Sequence, residues 1–441
     1  MSTAVADDFV INAPHQSIIY LPAVNTQYAS YNLALKDPYR NLPSQFTLDD
    51  LAFWTGNSSL FNHKFLLHSF GNYSIGQKVS NKLLNRAKDQ FTFVGDSGGF
   101  QLGKGTIKGF NGLETQMDCV QAEIAWKNNY DAKVAIVDWL DHHSDYAMTL
   151  DIPLWSISQA GVGSPFHKCS PQQILDMTVS NLKLIGEVSN NKTKWLNVIQ
   201  GVDESTIKFW WDGIKKYQFS GWAMAGATGY RGGLYNVLYA ILLMRDDGAF
   251  EKQCEWVHYL GLSQPKWFVV LTAIQNQLRK YNEKIQFSCD SATAFSAAGV
   301  RDQYAEIPLL DQDINNWGIK YETLPATKNH ADPASTVPFP VPSAIGKRLL
   351  MNHLVIDYRE ISGRRIDLLS SLMLINHSLW VILDAERRAY QAAFVAKDRP
   401  IPDVLKRVID LIDDLFNTQN WHSLLTANKE FLDSFAKNQY E

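Results

Sequence analysis

Short apolar runs alternate with longer amphipathic stretches along most of the sequence, and each run closes on a polar or glycine-containing turn. Near-continuous apolar strands that alternate with helices are typical of a parallel sheet covered by helices. The number of these units favours an α/β fold, a (β/α)8 TIM-type barrel with a C-terminal helical extension, over an open doubly wound sheet. The runs are SIIYLPAV from Ser17, FTFVGDS from Phe91, DYAMTLDIP from Asp145, WLNVIQG from Trp195, GWAMAGA from Gly221, WVHYLGL from Trp256 and IQFSCDS from Ile285.

The stretches between the runs have the apolar periodicity of helices. Neither a GxGxxG after the first strand nor a GxxxxGK[ST] occurs, which argues against phosphate-loop folds. The predicted helices are Ser170–Val188, Asp203–Tyr217, Gly233–Asp247 and Pro265–Glu283.

The composition changes near residue 325. The segment PATKNHADPASTVPFPVP, which starts at Pro325, contains five prolines and is typical of a linker or a wrapped loop. Helical periodicity then continues to the C-terminus and is clearest in Val404–Phe416. We therefore predict a catalytic barrel over residues 1–325, a proline-rich linker over 326–342 and a helical region over 343–441.

The charge balance excludes a strongly basic nucleic-acid binder. The net charge is −4 at pH 7, so only a local basic groove remains open. From Ser343 to Arg407 there are 11 Lys or Arg against seven Asp or Glu. This excess predicts either a phosphate-binding surface or a solvated helix face. The arginine pairs in it are Arg364–Arg365 and Arg387–Arg388.

The cysteines are far apart in the sequence and form no CxxC or CxC pair. Closed structural zinc sites usually contain such pairs, so we expect no zinc. Scattered single thiols, no signal-peptide pattern and no run of 18 apolar residues predict a soluble cytoplasmic protein without a membrane partner. The cysteines are Cys119, Cys169, Cys254 and Cys289.

Several runs end in groups suited to catalysis or binding. In a parallel barrel the carboxyl ends of the strands form the active site, so these groups are expected to converge at one mouth. Paired carboxylates suit glycosidic chemistry, in which one attacks the anomeric carbon and the other transfers protons. The groups are Asp96 in GDSGGF, Asp151 in LDIP, Gln200 in VIQG, Gly226 in AMAGA and Asp290 in FSCDSA.

These motifs resemble the tRNA-guanine transglycosylase superfamily in order and spacing. The resemblance runs from about residue 90 to about residue 300 and rests on DSGGFQ, VIQG, GWAMAG, HYLGL and DSA, of which the first is highly specific. TLDIP and CDSA are more similar to archaeal-type members than to bacterial ones. The resemblance implies a barrel enzyme that exchanges a guanine in a nucleic acid for a 7-deazaguanine. It also implies that Asp290 is the nucleophile and Asp96 the general acid and base.

The resemblance further implies a pocket for the exchanged base. Asp151 and Gln200 resemble the side chains that read the guanine edge, and Gly226 resembles a backbone donor to O6. Phe100 and Leu260 resemble the two faces of a slot around the base, since stacking and edge hydrogen bonds usually hold a flipped base. The glycines of DSGGF are expected to let the backbone approach a flat base closely. The implied substrate-binding set is Ser97, Phe100, Asp151, Gln200, Gly226, Ala227 and Leu260.

Departures from the family pattern bear on the substrate. Members that act on tRNA have a CxCxxC zinc motif after the nucleophile, but Gly299 to Asn329 contains no cysteine. SATAFSAAG stands where bacterial members have a basic segment that grips the anticodon loop, and no archaeal-type RNA-binding extension is recognisable. This pattern resembles the DNA-guanine transglycosylase branch of phages and bacterial modification clusters. That branch implies DNA and a free 7-deazaguanine of the preQ0 type as partners, and no cofactor.

Three alternatives remain open at the level of sequence. The first is a related enzyme that acts on tRNA, and the second is a non-catalytic accessory subunit of the same fold that binds nucleic acid. The third is an unrelated barrel hydrolase whose carboxylates hold a metal. Another metal set is conceivable from Asp138, Asp141, His142 and His143, although adjacent histidines on a turn are usually solvated.

Overall fold

Eight parallel strands form a nearly closed barrel in the computed structural model of the protein. The structure describes residues 16–29, 41–87, 89–190, 192–201, 203–226, 233–251, 253–325, 332, 334–354 and 366–437. The eight parallel strands and the helices between them confirm the predicted (β/α)8 architecture. The barrel strands are β1 Ile19–Pro22, β2 Phe65–Ser69, β3 Thr92–Asp96, β4 Tyr146–Met148, β5 Lys194–Ile199, β6 Gly221–Met224, β7 Trp256–Tyr259 and β8 Gln286–Ser291.

The order of the strands around the barrel is their order in the chain. The barrel closes at β1, which lies between β8 and β2. β1 pairs with β8 along its whole length. Its contact with β2 is a single bridge between Ala23 and Leu67, supported by the Val24 amide donating to the Leu67 carbonyl at 2.8 Å. Strand β2 was not among the predicted runs, because FLLHS is short and carries a buried histidine.

The predicted helices between the strands are confirmed with small shifts at their ends. Two of them begin with capping boxes, at Ser170 and at Asp203, which satisfy the first amides of each helix. The helices whose bounds lie within the described residues include α1 Gly99–Gly103, α2 Cys119–Asn128, α3 Tyr130–His143, α4 Pro171–Val188, α5 Glu204–Ile214, α6 Gly233–Asp246, α7 Pro265–Leu278, α8 Thr293–Arg301, α9 Leu368–Tyr390, α10 Asp403–Asn417, α11 Trp421–Ala427 and α12 Lys429–Lys437.

Alternate strand residues fill the barrel interior, and this alternation positions the site. The interior cluster includes Val94 and Val198. Because side chains alternate across a strand, residues two positions further on also point inward. Asp96 and Gln200 occupy those positions at the carboxyl ends of β3 and β5.

The C-terminal helices share one apolar core with the barrel helices. Helix α9 packs against α7, α8 and strand β9 Gln303–Ala305, which pairs antiparallel with β10 Tyr321–Thr323. Within the described residues one helix, Leu368–Val395, is long and apolar enough to cross a membrane, and 78% of its apolar window is buried in the protein. That burial is the pattern of a core helix.

Two of the four cysteines are not separate thiols. Cys119 at the start of α2 and Cys169 just before α4 are joined in a disulfide, with their Cα atoms 4.9 Å apart. The prediction of scattered single thiols is therefore wrong for this pair, because folding brings together residues that are 50 positions apart in the sequence. Cys254 and Cys289 are free and buried.

Of the two predicted arginine pairs of the C-terminal region, the one that the structure describes, Arg387 and Arg388, lies far from the predicted site. Arg387 and Arg388 both pair with Asp384, at 2.9 and 2.7 Å. Arg387 lines a cavity together with residues at the amino ends of β1 and β2, which is the opposite end of the barrel from the predicted carboxylates. For this pair the structure favours an ion-paired helix face over phosphate contact. Arg364 and Arg365 lie outside the described residues.

Candidate active site

The carboxyl ends of the barrel strands surround a cavity of about 510 Å³. Interior residues of the strands, including Leu67, Met148 and Val198, form its floor. Most of the predicted site residues line it, namely Asp96, Phe100, Asp151, Gln200, Gly226, Leu260 and Asp290. Ser97 does not line the cavity, since it is buried and its hydroxyl donates to the Thr149 carbonyl at 3.1 Å. Ala227 lies outside the described residues.

The turn after β3 explains the two glycines of DSGGF. Gly98 has a φ of 86°, and a Cβ there would come within 2.9 Å of the Gly71 backbone. A Cβ on Gly99 would lie 2.8 Å from Oδ1 of Asp151. These glycines therefore make room for neighbouring protein atoms, and the expected close approach to a base is not what requires them.

Asp96 is held at the cavity wall by two donors. Its Oδ1 accepts from the Gly98 amide at 3.3 Å, and the Ser69 hydroxyl also donates to it. Burial raises the pKa of Asp96 above its usual range, and the negative charge of Asp290 acts in the same direction, while the two hydrogen bonds oppose the shift. A carboxyl group with a raised pKa is suited to transfer protons near neutral pH.

Asp290 presents one oxygen to protein donors. Its Oδ1 accepts from the Gly261 amide at 2.9 Å and contacts Nε2 of His258 at 3.2 Å. The residue is 8% exposed, and it lines the same cavity as Asp96. Both of these bonds are made to Oδ1.

Asp151 and Gln200 form a buried pair beside these carboxylates. The Gln200 side-chain amide donates to Oδ2 of Asp151. Burial raises the pKa of Asp151 to about 7, the charge of Asp96 adds to the shift, and the bond from Gln200 opposes it. Gln200, which was predicted to read the guanine edge, thus uses its donor to hold Asp151.

The loop after β6 brings a backbone turn close to this pair. Gly226 has a φ of 59°, and a Cβ there would lie 3.1 Å from the Gly201 carbonyl and 3.4 Å from Oε1 of Gln200. Only glycine fits this combination of left-handed backbone and close packing without strain. The geometry is compatible with a backbone group of Gly226 facing the cavity.

An exposed aromatic group stands at the rim of the cavity. Phe100 is 53% exposed, and its ring lies 5.6 Å from that of Trp155 and 4.7 Å from Nζ of Lys104. Leu260, predicted to face it across the base, is partly buried against the interior cluster. Trp155 also lines the cavity, and sequence reasoning missed it although it stands two positions after the LDIP motif.

The second candidate metal set does not form a site in the structure. Among the described residues no group of three or more His, Cys, Asp or Glu side chains is placed to hold a metal ion. Asp141 is buried and accepts from the Ser189 hydroxyl and the Asn190 amide, at 3.2 and 2.8 Å. Its role is to cap the loop before β5.

Comparison with known proteins adds no family assignment. No protein-family model matches the chain, and a search of curated proteins finds no significant match. The functional interpretation therefore rests on the side chains that converge at the mouth of the barrel.

Proposed function

We propose that the protein is a base-exchange transglycosylase that replaces guanine in DNA with a 7-deazaguanine through a covalent Asp290 intermediate. The observation that carries the proposal is the convergence of three aspartates with different environments on one cavity. Asp290 has one oxygen, Oδ1, fixed by two contacts, while the pKa values of Asp96 and Asp151 are raised. These environments suit a nucleophile, a proton carrier and a base reader respectively.

The first half-reaction forms the covalent intermediate. The target deoxyguanosine turns out of the stack into the cavity, at a cost of roughly a few kcal/mol. Oδ2 of Asp290 attacks C1′, and the bond between C1′ and N9 breaks. The proton of Asp96 goes to the departing guanine, so the base leaves as a neutral molecule and Asp96 becomes a carboxylate.

The second half-reaction restores both carboxyl groups. A free 7-deazaguanine occupies the place of guanine, and Asp96 removes the proton from its N9. That nitrogen attacks C1′, and Asp290 leaves as a carboxylate. Two inversions give net retention at C1′, the logic of a retaining glycosidase with a base in place of water.

Recognition of guanine follows from the Asp151–Gln200 pair. An ionised Asp151 accepts from N1–H and from the 2-amino group of guanine. Adenine lacks that pair of donors on its edge, so it would leave the Asp151 carboxylate without the two hydrogen bonds that guanine supplies. Phe100 at the rim offers an exposed ring for stacking on the nucleic acid.

Base affinity is expected to depend on pH through Asp151. Its pKa is raised to about 7, so the ionised form that accepts both donors predominates only above that pH. Binding of a free 7-deazaguanine should therefore strengthen as pH rises through about 7. Asp151→Asn should weaken binding about 10- to 100-fold and flatten the profile. Titration calorimetry between about pH 6 and about pH 8 measures both effects, and a flat profile in the unmodified protein would assign recognition elsewhere.

The DNA assignment is tested by offering both nucleic acids. The protein is incubated with a labelled 7-deazaguanine and either guanine-containing DNA or tRNA, and the nucleosides are analysed after digestion. We expect label in DNA with little or none in tRNA, because the family's zinc motif and anticodon-gripping segment are missing. Turnover of tRNA with inert DNA would overturn the DNA assignment, and no exchange with either would overturn the proposed activity.

A further inference from the structure

A buried hydrogen-bonded chain runs up the barrel interior to Asp290. His258 and Ser288 are direct neighbours in the register of β7 and β8, and both are 0% exposed. The Trp256 indole N–H donates to Oγ of Ser288 at 2.6 Å, and Oγ lies 2.8 Å from Nδ1 of His258. Nε2 of His258 then lies 3.2 Å from Oδ1 of Asp290.

The contact with the Asp290 carboxylate places a proton on Nε2 of His258. The indole of Trp256 is a donor only, so Oγ of Ser288 accepts from it. The Ser288 hydroxyl proton is then free to be donated to Nδ1 of His258. In the opposite tautomer a bare Nε2 would face the carboxylate oxygen of Asp290, and two lone pairs would be left opposed in a buried place.

We propose that His258 is a positioning residue for the nucleophile, held in place by Ser288 and Trp256 so that its Nε2–H donates to Asp290. This inference rests on the proposed function of Asp290. Together with the Gly261 amide, His258 fixes Oδ1 from two directions and thereby sets the plane of the carboxylate. The attacking oxygen, Oδ2, is therefore oriented before the substrate binds. Such orientation speeds a displacement reaction.

The same two donors serve the covalent intermediate. When Oδ2 bonds to C1′, Oδ1 becomes the carbonyl oxygen of the ester and still accepts from His258 and Gly261. When Asp290 leaves in the second half-reaction, its negative charge reappears between donors that are already oriented. Both displacement steps therefore depend on His258, whereas base recognition by Asp151 does not.

A matched pair of substitutions separates positioning from simple packing. The amide nitrogen of His258→Gln can occupy the place of Nε2 and keep the bond to Asp290. The amide nitrogen of His258→Asn reaches only the place of Nδ1, beside Ser288. We expect His258→Asn to slow adduct formation with DNA by about 100-fold, with base affinity unchanged, and His258→Gln to recover most of the rate.

Equal rates in the two variants and the unmodified protein would overturn the positioning role, and so would equal losses in both. Nitrogen NMR of the imidazole in the unmodified protein gives a second measurement, independent of catalysis and of the stability of any variant. The expected result is a ring with a proton on Nε2, and a ring that carries its proton on Nδ1 alone would contradict the proposal. If the unmodified protein forms no adduct with DNA, the proposed function fails, and this NMR result alone decides whether His258 donates to Asp290.

Discussion

Asp290→Asn is expected to abolish base exchange and covalent adduct formation together. An amide oxygen is a poor nucleophile, and the amide removes the negative charge that the oxocarbenium-like transition state requires. The fold should survive, since the Gly261 amide can still donate to the remaining oxygen. The measurement is guanine release from labelled DNA, with adducts separated on a denaturing gel.

Asp138→Asn is the matched control, because Asp138 is exposed on helix α3 and away from the barrel mouth. It should exchange guanine at the rate of the unmodified protein. An adduct that persists in Asp290→Asn would remove Asp290 from the role of nucleophile. Loss of activity in Asp138→Asn would indicate instead that helix α3 contributes to base exchange.

Asp96→Asn is expected to lose turnover by about 10²–10⁴-fold while the nucleophile stays intact. The departing guanine then receives no proton from the enzyme. In the unmodified protein, guanine release should fall as pH rises through the raised pKa of Asp96, because only the protonated carboxyl can act as the acid. This limb of the pH profile should be missing in the variant.

A base that needs no proton tests this role further. A 7-methylguanine in DNA carries a positive charge and departs as a neutral molecule, so it should restore adduct formation in Asp96→Asn. It should restore nothing in Asp290→Asn, which lacks the nucleophile. Rescue of both variants, or of neither, would contradict the separation of roles between the two carboxylates.

The architecture and most of the cavity wall were predictable because they depend on local patterns. Apolar runs that end in polar turns indicate parallel strands, and the carboxyl ends of such strands meet at one mouth whatever the helices do. Asp96 and Asp290 could therefore be placed together before any contact was known. Ser97 lies outside the cavity lining, because neighbours at a strand end point to opposite sides.

Features that depend on contacts between distant residues could not be predicted in the same way. The disulfide between Cys119 and Cys169 joins the start of α2 to the loop before α4, and the approach of the two is set by the packing of the barrel helices. The link from His258 through Ser288 depends on the register of β7 and β8, which the two sequences do not reveal separately. His258 is the first residue of the HYLGL motif. The motif marks this segment of the sequence, but it does not indicate that the histidine contacts Ser288.

The position of Arg387 and Arg388 in the fold could not be predicted either, because it also depends on contacts between distant residues. The excess of positive charge near Arg387 was visible in composition, but its location at the amino end of the barrel was not. Pairing with Asp384 follows from helical spacing and was open to prediction.

The covalent intermediate itself can be measured on the unmodified protein. The chain is incubated with a guanine-containing DNA strand in the absence of a free 7-deazaguanine, denatured, and analysed by intact mass and by digestion. The predicted result is a mass increase equal to the DNA strand without its guanine base, carried by the peptide that contains Asp290. An unchanged mass, or an adduct on the peptide of Asp96 or Asp151, would contradict a transglycosylase that works through Asp290.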